Sequence, residues 1–120
     1  MMNRAQEVLS RLRSGSVTGA EIGVWRGWMS KVLLSRPDLS LYMIDNWEGV
    51  PELEHLGYGA SEQPENKALA IKKTDFAKDR RHVVQSPSVE AANGFQDGFF
   101  DFVFIDADHS YKGVSADIKA

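Results

Sequence analysis

The chain has 120 residues, 42% of them hydrophobic and 26% charged, with a formal net charge of −3 at pH 7. That composition suits one soluble globular domain over residues 1–120 and gives no reason to expect nucleic acid as a partner. With no cysteine there is neither a disulfide framework nor a thiolate metal site, and no apolar run nears the ~20 residues that cross a bilayer.

The first residues lack the apolar core of a signal peptide, so a cytoplasmic protein with no membrane partner is expected. Residues 3–13 read as a helix, with Ala5, Val8, Leu9 and Leu12 at helical spacing. Residues 17–23 read as a first strand. Residues 27–36 read as a helix ending before Pro37, and residues 39–45 as a second strand. The segment 46–63, rich in glycine and proline, is long for a connection and is expected to be a mobile loop. Residues 64–80 read as a helix opened by Pro64, 83–86 as a short third strand, 88–95 as a short helix, 100–106 as a fourth strand and 111–120 as a final helix. Strands alternating with helices imply a parallel sheet with right-handed crossovers.

The richest stretch is Ala20-Glu21-Ile22-Gly23-Val24-Trp25-Arg26-Gly27-Trp28-Met29-Ser30, taken with Asp45 at the end of the second strand. A strand ending in an acid and glycines, followed by a helix, builds a nucleotide-type pocket at the carboxyl edge of a parallel sheet. Asp45 stands 22 residues past Gly23, where an acid can accept both hydroxyls of a ribose. The glycines are spaced G-x-x-x-G, with Trp25 where a dinucleotide fingerprint has its middle glycine. An indole there argues against pyrophosphate, because that glycine lets the backbone approach the phosphates. Glu21 argues the same way, since a carboxylate repels phosphate and favours an ammonium. Gly23 and Gly27 read as glycines that let a ligand approach, Trp25 and Trp47 as pocket lining or packing, and Ser30 as a first-turn residue able to bind backbone N–H groups. For Asp45, capping of the following loop is the alternative to ribose binding.

On these residues the chain resembles the class I S-adenosylmethionine-dependent methyltransferases, in particular their small-molecule O-methyltransferase branch, whose first motif reads E-x-G-x-aromatic-x-G. The likeness extends to Asp45 and to Phe100-Asp101-Phe102-Val103-Phe104-Ile105-Asp106-Ala107-Asp108-His109-Ser110-Tyr111, and it covers roughly residues 18–120. It implies a Rossmann-like three-layer α/β/α sandwich with a mostly parallel sheet in the order 3-2-1-4, truncated relative to the full fold. It implies S-adenosyl-L-methionine as cofactor, with Glu21 toward the methionine ammonium, Ser30 toward its carboxylate, Asp45 and Trp47 at the ribose, and Ser86 near adenine. Gln85-Ser86-Pro87 departs from the family's pattern there.

Asp106 and His109 follow the fourth strand three residues apart, so both can face one cleft. By resemblance Asp106 lines the cofactor site and is a ligand of Mg2+, and His109, with Asp108 beside it, serves as base. A cation lowers the pKa of an acceptor hydroxyl and a histidine takes its proton. One carboxylate does not hold Mg2+ tightly, and the family's further ligands follow a fifth strand. The expected reaction is methylation of a small-molecule acceptor of the sugar or phenol class. The alternative is a non-catalytic cofactor-binding module. The sequence supplies four strands, so a fragment of a longer protein is expected. Phe102–Ile105 would then form an open edge suited to self-association. His55 and His82 read as solvated residues.

Overall fold

A computed structural model describes residues 4–48, 63–87 and 94–105. Most of the expected loop, residues 88–93 of the helix expected at 88–95, the helix expected at 111–120, and Asp106, Asp108 and His109 lie outside these residues; Gly94 and Phe95 form a turn and a bend rather than a helix end.

Four strands, β1 (Val17–Ile22), β2 (Leu39–Asp45), β3 (Arg81–Gln85) and β4 (Phe102–Ile105), form one sheet in the order β3-β2-β1-β4. All three pairings are parallel. This is the order 3-2-1-4 expected from the sequence. Three helices, α1 (Arg4–Ser10), α2 (Trp28–Leu33) and α3 (Gln63–Lys73), are followed after α3 by a single tight turn, Asp75–Ala77.

Alternate strand residues face the helices. Leu39, Leu41 and Met43 of β2 are fully buried against Leu33 and Leu34 at the end of α2, with Ala5, Ala70 and Ala77 in the same core. The opposite face carries Ala20, Ile22 and Ile44, covered by Phe95 and Phe100. Tyr42 on that face stacks on His82 with ring centroids 4.3 Å apart, and His82 is exposed at the outer strand β3, as expected for a solvated residue.

Gly19 explains how β4 joins β1. It pairs with Phe102, and a Cβ on it would come within 2.1 Å of the Phe102 ring. The ring therefore occupies the space a side chain would take, and the glycine is a packing requirement. Below this pair, Asp101 sets the register twice. Its N–H donates to the Thr18 carbonyl at 2.7 Å and its carboxylate accepts the Thr18 N–H at 2.8 Å. The Thr18 N–H, with help from the Arg13 guanidinium 3.2 Å away, holds the Asp101 carboxyl below the usual carboxylate range.

All three helices are shorter than the sequence pattern predicts. The one expected over residues 3–13 ends at Ser10, and Arg11 and Leu12 continue with tighter bonds to Val8 and Leu9. The regular part of α2 ends at Leu33, and Ser35 and Arg36 continue with tighter bonds to Val32 and Leu33. The released carbonyls are taken by Arg80, whose guanidinium donates to the carbonyls of Leu34, Arg36 and Leu39. The helix expected over residues 64–80 stops at Lys73, where the Thr74 hydroxyl donates back to the Ala70 carbonyl at 2.8 Å and Arg81 takes the Ile71 carbonyl. Arg80, distant in sequence, therefore caps the end of α2, and Arg81 at the start of β3 caps the end of α3, roles that local periodicity does not reveal.

Candidate cofactor site

The site lies where the chain leaves β1 and β2 at their carboxyl ends. Gly23 and Gly27 have φ of +88° and +83°, so both need the left-handed conformation that glycine adopts without a Cβ penalty. The Gly23 N–H donates to the Ile44 carbonyl at 2.8 Å, which ties the start of the turn to β2.

Asp45 organises the edge. One carboxylate oxygen accepts the Trp25 N–H at 2.9 Å, and the other accepts the Trp47 N–H at 2.8 Å. The sequence expectation of a ribose acceptor therefore meets a loop-capping role in the same residue. The two are compatible. A carboxylate offers about four lone-pair sites, so each oxygen keeps capacity for one hydroxyl.

Trp25 and Trp47 have φ of 55° and 47°, a region that bulky residues rarely enter. The two backbones are cross-linked, because the Trp47 indole N–H donates to the Trp25 carbonyl at 3.0 Å. Trp47 is buried in the main core, so its indole is as much a packing element as a lid over a ligand.

Glu21 and Ser30 are brought together beneath the turn. Both are fully buried, and the Ser30 hydroxyl donates to the Glu21 carboxylate. The serine thus binds an acid on the neighbouring strand instead of a helix N–H. A buried carboxyl group is costly unless it is hydrogen-bonded, and the pair sets an acidic group under the strand-to-helix turn.

Gly27 has a different reason to be glycine than ligand approach. A Cβ there would lie 2.7 Å from the Ala70 Cα. Its missing side chain lets the start of α2 sit directly on α3. Ser86 is half-buried, and its N–H donates to the Asp45 carbonyl at 3.0 Å, which places the end of β3 beside the Asp45 edge.

Four contributors escaped sequence reasoning. Arg26 donates from Nε to Asn66 Oδ1 at 2.9 Å, and Gln85 donates to the Asn46 carbonyl at 3.2 Å while accepting from Lys67. They link the turn, the β2 end and α3. The available signal was polar residues at half-buried helix and strand-end positions, but their partners are distant in sequence. Among the described residues, no group of three or more His, Asp or Glu stands together to hold a metal ion. No helix among them is long and apolar enough to cross a membrane.

A family model described as a methyltransferase domain matches residues 20–120. Among solved structures, the chain is similar to a protein of Methanococcus maripaludis assigned as an S-adenosyl-L-methionine-dependent methyltransferase, with a TM-score of 0.63 and 18% identity. That match covers 95% of this chain and 47% of the other. It is also similar to spermidine synthase from Thermotoga maritima, with a TM-score of 0.57 and 13% identity over 84% of this chain and 31% of that one. The chain thus spans about half the length, or less, of these structural relatives. No curated protein matches it in sequence.

Proposed function

The chain belongs to the methyltransferase-domain family, and on that footing we propose that it binds S-adenosyl-L-methionine at the carboxyl edge of β1 and β2 and serves O-methylation of a small molecule. The observation that carries this reading is the Asp45 carboxylate, fixed by two backbone N–H groups and retaining acceptor capacity on both oxygens. A vicinal diol is the ligand group that matches such an acceptor pair. The likeness to the Methanococcus maripaludis protein supports the same cofactor.

The donor set fits a nucleoside without phosphate. Trp25 stands where pyrophosphate would need a glycine, and Glu21 adds a buried acidic group under the turn. Gly23, Trp25 and Gly27 would shape the wall of the site, Asp45 would take the ribose hydroxyls, and Trp47 and Ser86 would flank the nucleoside. Glu21 and Ser30 would act from below, favouring a cationic amino group over an anion. When bound, the cofactor supplies an electrophilic methyl group on a sulfonium.

The residues proposed for the chemistry lie beyond β4. His109 takes the proton from the acceptor hydroxyl as its oxygen becomes the nucleophile, and Asp108 orients the imidazole. Asp106 would line the cofactor site and is the proposed contact for Mg2+, which would lower the pKa of the acceptor hydroxyl.

Binding and turnover are tested separately, which also separates the enzyme from a non-catalytic binding module. Calorimetric titration with S-adenosylhomocysteine is expected to show one site per chain. Asp45→Asn is expected to weaken it by about 1.5–3 kcal/mol, the range for hydrogen bonds to a charged group. No heat at millimolar ligand would sink the binding reading. A radiolabelled methyl-transfer assay on phenols and sugars then tests catalysis, and binding without turnover would leave the module reading standing.

The outer edge of β4 pairs with no described strand. We propose that it supports self-association, most simply as a two-fold dimer. Light scattering showing a monomer at micromolar concentration would remove this proposal.

A further inference from the structure

Three cations gather around an exposed indole on the seam between α2 and α3. Lys73, the last residue of α3, holds its ammonium 3.7 Å from the centre of the Trp28 ring and donates to the Arg26 carbonyl at 3.1 Å. The Arg26 guanidinium is fixed beside it, 4.3 Å from the Trp25 ring centre and bonded to Asn66. Lys31 is exposed one turn beyond Trp28, on the same side of α2. Trp28 itself is 61% exposed, although large apolar side chains are normally covered.

Among the described residues the cluster has no counter-charge. Ion pairs among the described residues join Arg13 to Asp101, Arg36 to Asp38 and Arg81 to Asp75, and none involves Arg26, Lys31 or Lys73. Partial burial, then the neighbouring charges of Arg26 and Lys31, hold the Lys73 ammonium below the ordinary lysine range. Arginine and tryptophan are also the residue types that most often anchor protein interfaces.

We infer that this patch docks an acidic peptide segment of a partner protein, with carboxylates against Arg26, Lys31 and Lys73 and an apolar side chain against the Trp28 indole. The chain as a whole carries a net negative charge, which disfavours a long polyanion such as nucleic acid and favours a short acidic segment.

The test uses the full chain and a fluorescein-labelled peptide of Glu-Glu-Leu repeats, read by fluorescence polarisation. A Gln-Gln-Leu peptide and a single-stranded oligonucleotide of similar length serve as comparison probes. The glutamate peptide is expected to bind, to weaken as salt is raised, and to outcompete both other probes. Lys31→Glu and Trp28→Ser are each expected to lower its affinity about tenfold or more, with melting temperatures matching the parent. Both side chains are exposed, and should Trp28→Ser unfold, Lys31→Glu alone decides. The inference is overturned if the glutamate peptide does not bind, if the glutamine peptide binds equally, or if the folded variants bind like the parent. Tighter binding of the oligonucleotide also overturns it, in favour of a nucleic-acid surface.

Discussion

The indole N–H of Trp47 donates to the carbonyl of Trp25 at 3.0 Å, joining two residues that both hold left-handed backbone. Each such conformation costs a non-glycine residue roughly 1–2 kcal/mol. Asp45 offsets the cost by accepting the N–H of both. The site edge is therefore a strained loop pair held by one carboxylate, built before any ligand arrives.

Removing that carboxylate should damage the fold as well as the site. Asp45→Ala leaves two N–H groups without their acceptor, and a loss of about 2–4 kcal/mol is expected from urea denaturation. Asp45→Asn keeps one acceptor oxygen and should lose roughly half as much. Trp47→Phe keeps the ring and drops only the indole bond, at about 1 kcal/mol. Equal stability of Asp45→Ala and the parent would contradict the cross-linked edge.

Two glycines with similar φ should respond differently to alanine. Gly27 and Gly98 have φ of +83° and +76°, but a Cβ meets Ala70 at 2.7 Å in the first and nothing within 4 Å in the second. Gly98→Ala is expected to cost about 1–2 kcal/mol from backbone strain alone. Gly27→Ala adds overpacking of about 1–3 kcal/mol. Ala70→Gly should not rescue it, because the nearest atom is the Ala70 Cα. Rescue in the double variant would show that α3 shifts more readily than the packing suggests.

Gly19 and Phe102 form a size-matched pair across β1 and β4. Gly19→Ala should destabilise by about 1–3 kcal/mol through overpacking. Phe102→Ala should cost about 2–4 kcal/mol through lost burial, moderated because the ring is half-buried. Here the obstructing atoms belong to a side chain, so the double variant should be more stable than the sum of the two losses predicts. Strict additivity in a double-mutant cycle would refute the contact.

Acid should loosen the start of the β1–β4 ladder. The Asp101 carboxyl lies below its ordinary value of 3.8, chiefly because it accepts the Thr18 N–H and secondarily because of Arg13. A depressed acid contributes stability that is present above its unfolded-state value and is lost as pH falls through its folded-state value. Thermal melts from pH 5 downward should therefore show a steeper decline for the parent than for Asp101→Asn. Parallel pH profiles would remove Asp101 from the account.

The sequence by itself determined the alternation of strands and helices and the placing of Glu21, Gly23 and Asp45 at strand ends, and its family resemblance implied the parallel order 3-2-1-4. The first two follow from local signals: apolar periodicity, glycine and proline punctuation, and acids ending apolar runs. The helix ends after Leu33 and Lys73 were decided by tertiary structure, because Arg80 reaches the first from across the fold and Arg81, at the start of β3, takes a carbonyl at the second that periodicity assigned to a longer helix. The same holds for Gly27, whose partner Ala70 belongs to another helix, and for Ser30, whose hydroxyl found Glu21 rather than a backbone N–H. Asp45 joins both kinds. Its position was legible, but its grip on two tryptophan backbones arises only when the β1 and β2 ends meet in space, since a hydrogen bond depends on distance and direction that sequence spacing does not encode.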